Sequence, residues 1–588
     1  MDRRLRTEIL VEASEKYKRE WYDVPTMQNP ASSPESEPAT SHPKPTVRWS
    51  QSAWRGAVLG LVLGLFAVIW QAGDVELWQR LANGLGAMLW LIPAALGCLG
   101  LLLWLLVFSK IDRRVRFCLA AGALLLAGVA AALVRFDSFS GSLFPQFAWR
   151  WSPAAGQGVA PFPGGAADDA DSEAGSDDGS ADLTSVAQHD YPGFLGTDRT
   201  GVVGNVGLAR DWDRRPPREL WRHPVGMGWS GFAVAGEFAV TQEQRGSDET
   251  VVCYELRTGR ERWVHRDATW FTGAGIHGDG PRATPTIHRG RVYALGATGF
   301  LNCLDGSSGR LLWQNRVLPD PEKNNLVWGM AGSPLVVDGR VIVSPGVRPG
   351  RSVVAFDLGS GQEVWSAGDD PAAYSSPQFV HLGGEPQILV FNGAGLAAHD
   401  LTSGRPLWNF PWVTQGVSMV NAAQPLVLAG SALGTRDDAV LISSGYGQGC
   451  ALLRIRQGQD GAVVDEVWRN KLLKSKFSNV VSRGPFVYGL DDGVLVCLEA
   501  RDGKRRWKQG RYGHGQLLLA GDLLLVQAES GDVVLVEPSP DALHELGRFC
   551  ALSSKTWNHP ALAGNLLLVR NDRESACFEL PLEQSGRQ

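Results

Sequence analysis

The chain has 588 residues, of which 44% are hydrophobic and 20% are charged, and its formal net charge is -5. This length exceeds one ordinary domain, and the apolar content is too high for a disordered chain. The small net charge says little about partners. No basic stripe supports binding to nucleic acid.

The N-terminal part, residues 1–54, is polar and charge-balanced. Within it, residues 2–21 predict a short helix, in which Glu12 and Lys16 stand four residues apart. The Pro- and Ser-rich remainder predicts a flexible, solvated tail.

Three apolar runs follow within residues 55–135, and none contains an ionisable acidic or basic side chain: residues 56–73, 85–108 and 117–134. Each is long enough to cross a bilayer. The alternative is a buried hairpin in a soluble protein, which the complete lack of charge over 18 to 24 residues disfavours. The sequence therefore predicts three transmembrane helices.

The basic residues between these runs predict the topology. The connection before the third run carries Lys110, Arg113, Arg114 and Arg116. The connection before the second run carries Arg80 alone. Because basic loops stay in the cytoplasm, the N-terminus is expected there and everything after Arg135 outside. This predicts a multi-pass protein of the cytoplasmic (inner) membrane with a periplasmic or otherwise extracytoplasmic C-terminal part.

Residues 136–189 are rich in Gly, Pro, Ala and acid, and predict a flexible, self-repelling linker. No metal site is predicted in the linker, because its acidic cluster does not have the spacing of a preorganised calcium loop. The residues of this cluster are Asp168, Asp169, Asp171, Glu173, Asp177 and Asp178.

The remainder of the chain repeats one pattern, in which a Gly follows an acidic residue by four positions and a Trp follows it by eight. Five copies keep both offsets: Glu255 to Trp263, Asp305 to Trp313, Asp357 to Trp365, Asp400 to Trp408 and Glu499 to Trp507. Degenerate copies begin at Arg454, Glu537 and Glu579, so the average spacing is about 46 residues. A repeat of this length, built of short apolar stretches and Gly turns, is typical of a four-stranded propeller blade.

The ends of the repeat series predict how the ring closes. Trp221 precedes the first acidic position, and Glu579 is followed by no tryptophan. If the Trp221 segment is the outer strand of the blade formed by residues 558–580, no sheet edge is left unfinished. We therefore predict an all-β fold for residues 190–588, an eight-bladed β-propeller closed by its two ends.

The Asp-x-x-Ser/Thr-Gly-x-x-x-Trp units, with strands such as Ser-Pro-Leu-Val-Val-Asp-Gly-Arg-Val, resemble the pyrroloquinoline-quinone (PQQ)-like repeats of quinoprotein dehydrogenases and BamB-type propellers. The resemblance covers residues 191–581. It implies that each tryptophan docks between neighbouring blades. It does not by itself imply a bound quinone, because a fold does not determine a function.

The departures from the dehydrogenase pattern concern cysteine, calcium and haem. Many of those enzymes have two adjacent cysteines and a calcium ion beside the cofactor, but no two cysteines are adjacent here. Calcium ligands are not identifiable by motif, and no haem-attachment Cys-x-x-Cys-His is present. Four cysteines stand two residues before the acidic position and are predicted to be small buried groups: Cys253, Cys303, Cys497 and Cys577.

Side chains just before the innermost strand of each blade should converge on one mouth of the central channel. They are Trp229, Arg282, Trp328, Tyr374, Asn421, Lys476, His514, Trp557 and Asn558. Aromatic, cationic and amide groups gathered in a funnel predict a site for a polar ligand. The alternative for each residue is a strand cap or a contact with channel water. Arg282 and Lys476 are the cations expected to hold an anionic ligand.

The prediction for function is a membrane-anchored, extracytoplasmic scaffold that resembles BamB-type envelope proteins and binds envelope proteins or a small anionic ligand. The alternative is a PQQ-dependent dehydrogenase with PQQ held in the funnel. The sequence assigns no catalytic residue and leaves open whether the chain is an enzyme.

Overall fold

The computed structural model describes residues 112–141, 145–152, 181–184, 186–204, 206–273, 278–414, 420–459 and 461–583. These residues belong to one compact unit, residues 73–588. The predicted tail, the first two apolar runs and the acidic cluster of the linker, residues 168–178, lie outside the described residues.

Eight four-stranded antiparallel sheets form the blades of an all-β propeller, as predicted. Blade 1 consists of β5 (Ala233–Ala235), β6 (Phe238–Arg245), β7 (Asp248–Glu255) and β8 (Glu261–Asp267), and blade 2 of β9 (Thr286–His288), β10 (Arg291–Leu295), β11 (Phe300–Asp305) and β12 (Leu311–Arg316). Blade 3 consists of β13 (Leu335–Val337), β14 (Arg340–Val343), β15 (Val353–Asp357) and β16 (Glu363–Ala367), and blade 4 of β17 (Gln378–Leu382), β18 (Glu385–Phe391), β19 (Gly395–Asp400) and β20 (Pro406–Pro411).

Blade 5 consists of β21 (Leu426–Leu428), β22 (Ala439–Ser444), β23 (Gly449–Gly458) and β24 (Gly461–Asn470), and blade 6 of β25 (Val481–Arg483), β26 (Phe486–Asp491), β27 (Val494–Glu499) and β28 (Arg505–Arg511). Blade 7 consists of β29 (Gln516–Ala520), β30 (Leu523–Gln527), β31 (Asp532–Glu537) and β32 (His544–Cys550), and blade 8 of β33 (Ala561–Ala563), β34 (Leu566–Arg570), β35 (Glu574–Glu579) and β4 (Arg218–Pro224). Two short helices lie between blades or strands, α2 (Pro321–Asn324) and α3 (Gly430–Leu433).

The repeat signature joins neighbouring blades, and the junction of blades 1 and 2 shows how. Trp263, at the end of blade 1, donates its indole N–H to the Gly306 carbonyl of blade 2 at 2.9 Å. A Cβ on Gly309 would lie only 2.5 Å from the same indole, so the glycine leaves the space that the tryptophan fills. The acid of the signature, Asp305, accepts the backbone N–H of Ser307 at 3.0 Å and thereby closes the turn that presents Gly309.

The ring closes as the tryptophan series predicts. Strand β4 pairs with β35 in antiparallel register, so the eighth blade takes its outer strand from the start of the propeller. Arg570 of β34 is fully buried at the junction with the first blade, where it donates to the carbonyls of Gln242 (2.8 Å) and Gly226 (3.0 Å). Both ends of the propeller sequence are therefore held in one blade.

The third apolar run forms helix α1 (Arg113–Leu133), which is long and apolar enough to cross a membrane. Among the described ranges it is the one helix that meets this criterion, and the other two predicted runs lie outside those ranges. The four predicted blade cysteines are all buried.

Directly after α1, a two-stranded hairpin is formed by β1 (Val134–Phe139) and β2 (Pro145–Trp149). The linker was predicted to begin at residue 136, which lies inside this hairpin. Its aromatic residues favour strand structure, a signal that the average composition of the linker conceals. At the far end of the linker, Leu183 is already fully buried against the propeller, before the predicted boundary at residue 190.

Candidate functional site

The site is built on the face of the propeller where the innermost strands begin. In a four-stranded antiparallel blade, the turn between the second and third strands returns to this face. We call the region around the channel on this face the mouth, and it comprises the nine predicted residues together with Phe271, Tyr446, Phe477, Glu529 and Lys555. The side chains of the mouth therefore come from the loops before the innermost strands and from the turns between the second and third strands.

Aromatic rings from neighbouring blades meet at the mouth. The ring centroids of Trp229 and Trp557 are 4.8 Å apart, and those of Trp328 and Tyr374 are 5.0 Å apart. Phe477 bridges to Trp557 at 5.3 Å. The structure thus brings together these predicted tryptophan and tyrosine residues in two clusters, and each cluster offers flat apolar surface beside polar groups.

Two lysines lie against these rings. The Lys555 ammonium is 4.3 Å from the ring centroid of Trp557 and 5.1 Å from that of Trp229. The predicted Lys476 lies 5.2 Å from the ring of Tyr446. Burial lowers the pKa of both lysines from its ordinary value. Lysines at such positions attract a carbonyl or an anion that can replace their lost hydration.

Glu529 is the acidic group beside the lysines, and the sequence reasoning missed it. It accepts the indole N–H of Trp557 at 3.0 Å and the backbone N–H of His514 at 2.9 Å. It lies in the turn between β30 and β31, whereas the prediction considered only loops before innermost strands. Tyr446, between β22 and β23, was missed for the same reason. Because successive strands of a blade alternate in direction, the turn between the second and third strands lies on the same face, and this could have indicated both residues.

Arg282 lies in the second blade, before β9. Its guanidinium donates to the Gly280 and Gly278 carbonyls at 3.0 and 3.2 Å and lies 5.8 Å from the ring of Phe271. Burial lowers the pKa of Arg282 to about 10, and the nearby Tyr374 opposes this shift. At neutral pH the residue therefore remains a cation, with Tyr374 among the groups that act on its charge.

Two of the predicted residues, Asn421 and Asn558, are buried and bind within the protein rather than being presented to a ligand. Asn421 donates to the Asn392 and Trp412 carbonyls at 2.8 and 3.1 Å and accepts from Ser444, so its amide is fully used within the protein. Asn558 donates to the Ser230 carbonyl at 2.8 Å. The hydrogen bonds of these two residues connect neighbouring loops.

His514 is 2% exposed. Burial, with Lys476 as the second cause, lowers the pKa of His514 to about 4. The imidazole is therefore neutral at neutral pH and adds no charge to the mouth.

The hairpin β1–β2 occupies the part of the mouth around the two lysines. The Gly141 carbonyl accepts from Lys476 at 2.8 Å, and the Phe139 carbonyl accepts from Lys555 at 3.2 Å. The Gly141 N–H donates to Glu529. A Cβ on Gly141 would overlap with the His514 ring, so only glycine fits there without a rearrangement. The mouth thus holds a polypeptide backbone through charged side chains.

A second contact fixes the first strand of the hairpin. Asp137 forms an ion pair with Arg573, which lies in the turn between β34 and β35. A cleft of about 1040 Å³ lies beside this ion pair, between the hairpin and the eighth blade. The hairpin is therefore attached at its turn and along β1, and the cleft separates the rest of it from the blade.

The other end of the channel is closed by the chain itself. Residues 186–204 cross it, and β3 (Val202–Val203) adds to β29 in parallel register. Arg199 is 6% exposed and donates to the carbonyls of Ser333 (3.0 Å) and Pro377 (2.9 Å) from within the channel. In the described part of the propeller, the segment 186–204 thus closes the channel at the end opposite the mouth, and we call this end the closed base.

Closed four-stranded blades, tryptophan-to-glycine junctions and a polar mouth together define an eight-bladed β-propeller built from tryptophan-docked repeats. The resemblance predicted from the repeats is confirmed, since residues 247–509 match the family model described as outer membrane protein assembly factor BamB. The chain is similar both to proteins of that name and to quinoprotein dehydrogenases.

Three comparisons illustrate this twofold similarity. BamB of Burkholderia pseudomallei is 25% identical over 364 residues, which cover 60% of this chain and 85% of that protein. Polyvinylalcohol dehydrogenase of a Pseudomonas species is 24% identical, over 41% of this chain and 44% of that protein. The structure of quinohemoprotein alcohol dehydrogenase from Comamonas testosteroni has a TM-score of 0.51 at 12% identity, over 68% of this chain and 82% of that one, which shows the fold alone.

Proposed function

We propose that the chain is a membrane-anchored, extracytoplasmic scaffold whose mouth binds an extended polypeptide segment of a partner protein. The observation that carries the proposal is the way in which the mouth holds the chain's own hairpin. Lys555 donates to the backbone carbonyl of Phe139 at the end of β1, Lys476 donates to that of Gly141 two residues further on, and Glu529 accepts the Gly141 backbone N–H. Backbone groups are common to all polypeptides, so the same three side chains suit a partner's segment.

The similarity to BamB supports a role in protein assembly, because those relatives carry the name of an outer membrane protein assembly factor. The basic connection before α1 supports placing the propeller outside the cytoplasm. The partner is thus expected among envelope proteins.

The test uses the full chain in detergent and a fluorescent peptide with the sequence of residues 134–149. In the native chain the tethered hairpin competes with the peptide at a high effective concentration, so weak binding is expected. Gly141→Val should unseat the hairpin through the clash with His514 and allow the peptide to bind. A peptide that carries the same Gly-to-Val change is the matched control and should not bind.

The lysine that holds the backbone is tested in the Gly141→Val chain. Lys476→Ala should weaken peptide binding by about tenfold or more, since a charge-assisted hydrogen bond contributes roughly 1.5 to 3 kcal/mol. Lys504→Ala, at a side chain that is 79% exposed in a turn on the opposite face, should change nothing. A Gly141→Val chain that melts like the native one and binds no peptide would refute the proposal.

The second candidate function is a PQQ-dependent dehydrogenase, and the cluster around Arg282 favours it. Arg282 is a cation that interacts with Tyr374, whose ring contacts that of Trp328, and a cation with flat rings nearby fits an anionic aromatic ligand. PQQ would supply a two-electron acceptor for an alcohol substrate. Within the described ranges, no group of three or more His, Cys, Asp or Glu could hold a metal ion, so the calcium part of the dehydrogenase pattern has no matching ligand set there.

Calorimetric titration with PQQ, with and without calcium, distinguishes the two functions. The dehydrogenase predicts saturable binding, reduction of an artificial acceptor by alcohols, and at least a tenfold loss of affinity in Arg282→Ala because a charge-assisted hydrogen bond is lost. The scaffold predicts peptide binding that Arg282→Ala leaves unchanged.

A further inference from the structure

The hairpin β1–β2 has two different faces. On one face, Phe136 lies opposite Phe147 and Val134 lies opposite Trp149 in the register of the two strands. Phe136, Phe147 and Trp149 are 48%, 63% and 51% exposed. Trp151 follows, 68% exposed and stacked on Trp149 at 5.1 Å. Such a contiguous exposed aromatic patch is unusual on a soluble surface and marks an interaction site.

The opposite face of the hairpin is polar and is turned to the propeller. Asp137 pairs with Arg573 there, and Gln146 accepts a hydrogen bond from Ser138 at 2.9 Å. The aromatic face is therefore directed away from the mouth to which the hairpin is attached. Its rings are largely exposed among the described residues, and Phe147 also borders the cleft beside the eighth blade.

The hairpin is continuous with α1. Strand β1 begins at Val134, directly after the last helical residue, Leu133. Directly after β2, the Arg150 backbone N–H donates to the Leu133 carbonyl at 2.9 Å, and its guanidinium donates to the Ala131 carbonyl at 3.1 Å. The end of the apolar helix and the aromatic face thus form one continuous surface.

We propose that this aromatic face lies in the outer interfacial layer of the membrane and holds the mouth of the propeller towards the bilayer. The inference rests on the proposed membrane anchoring by α1. Tryptophan rings favour the headgroup level at the ends of membrane helices, and the exposed Arg150 provides a cation for anionic lipid headgroups. Since the other face of the hairpin binds the mouth, the hairpin lies between the lipid and the propeller. A partner then reaches the mouth from beside the membrane or from within it.

The test measures lipid contact at single positions in the full chain, reconstituted in nanodiscs that contain anionic lipid. Cys98, Cys118 and Cys550 are replaced by serine, and an environment-sensitive fluorophore is attached through Phe147→Cys. Lipids brominated near the headgroup should remove most of its fluorescence. The matched control is Gln146→Cys, one residue away on the face turned to the propeller, which should lose little. Ser360→Cys, in a turn on the opposite face of the propeller, should lose none.

A label at Leu125→Cys, an exposed position within α1, separates the two proposals. Quenching of this label by deeply brominated lipids, with none at position 147, overturns the interfacial hairpin and leaves the anchoring intact. If neither label is quenched, the proposed anchoring is overturned as well. Energy transfer between labels at position 147 of two chains, without quenching by lipid, assigns the aromatic face to a second copy and also overturns the inference.

Discussion

Cys577 of β35 lies directly opposite Trp221 of β4 in the closing blade, although 356 residues separate them in the sequence (577 − 221). The Trp221 indole then donates to the Leu256 carbonyl of the first blade at 2.9 Å. One outer strand thus completes the last sheet and fixes it to the first.

Truncation after Asn571 should therefore destabilise the whole ring, because it removes β35 and leaves β4 as an unpaired strand. We expect a marked drop in Tm and a broader transition in thermal melts of the full chain. Removing residues 584–588 instead is the control and should leave the Tm unchanged. Equal melting curves for both truncations would contradict closure by the two ends.

Two glycines separate the effect of blade packing from that of backbone conformation. Gly309 (φ 73°) and Gly434 (φ 68°) both have left-handed backbones, but an added Cβ meets Trp263 at the first and no atom within 4 Å at the second. Gly434→Ala should cost about 1 to 2 kcal/mol from backbone strain. Gly309→Ala should cost a further 1 to 3 kcal/mol, roughly, from overpacking at the blade junction. Denaturant unfolding measures the difference, and similar costs would contradict the junction role.

Arg199 is expected to stabilise the closed base of the channel. Arg199→Met keeps most of the side-chain volume but removes the donors to the Ser333 and Pro377 carbonyls, which should cost about 3 kcal/mol. Arg214→Met, at an exposed position, serves as the control. Chemical denaturation of both variants tests the prediction. It fails if the two variants unfold at the same denaturant concentration.

Glu249 makes stability depend on pH. Burial, with the nearby Asp267 carboxylate as a further cause, raises the pKa of Glu249 to about 7, against the hydrogen bond from the Ala297 N–H. The unfolded chain then binds fewer protons between about pH 4.5 and 7, so stability should fall as pH rises through this window.

Glu249→Gln should remove this part of the pH dependence, on the order of 3 kcal/mol between the ends of the window. The measurement is the Tm of both chains at several pH values from 4.5 to 8. Parallel curves for the native chain and the variant would show that Glu249 does not titrate in this range.

The blades were predictable from the sequence because their main contacts recur at fixed offsets. Trp263 and Gly309 belong to successive copies of one pattern, so the repeat itself encodes the junction. The same reasoning located the aromatic clusters of the mouth, because every blade begins its innermost strand on the same face.

Other parts depend on contacts between segments that share no pattern. Glu529 and Lys555 meet the hairpin at Gly141 and Phe139, and these partners are about 400 residues apart in the sequence. Arg199 reaches carbonyls of two blades from a segment outside the repeats. Neither composition nor periodicity specifies such pairs, so the hairpin on the mouth and the closed base of the channel became apparent only from the structure.

The pairing of β4 with β35 also has a consequence for biogenesis. Translation makes β4 before the first blade, whereas β35 is made after the strands of the other seven blades, so β4 has to wait for nearly the entire propeller to be synthesised. Domains generally fold as units in the order of synthesis. The eighth blade can therefore form only after β35 has been synthesised, and a chain stalled before that point presents an open sheet edge that chaperones and proteases can recognise.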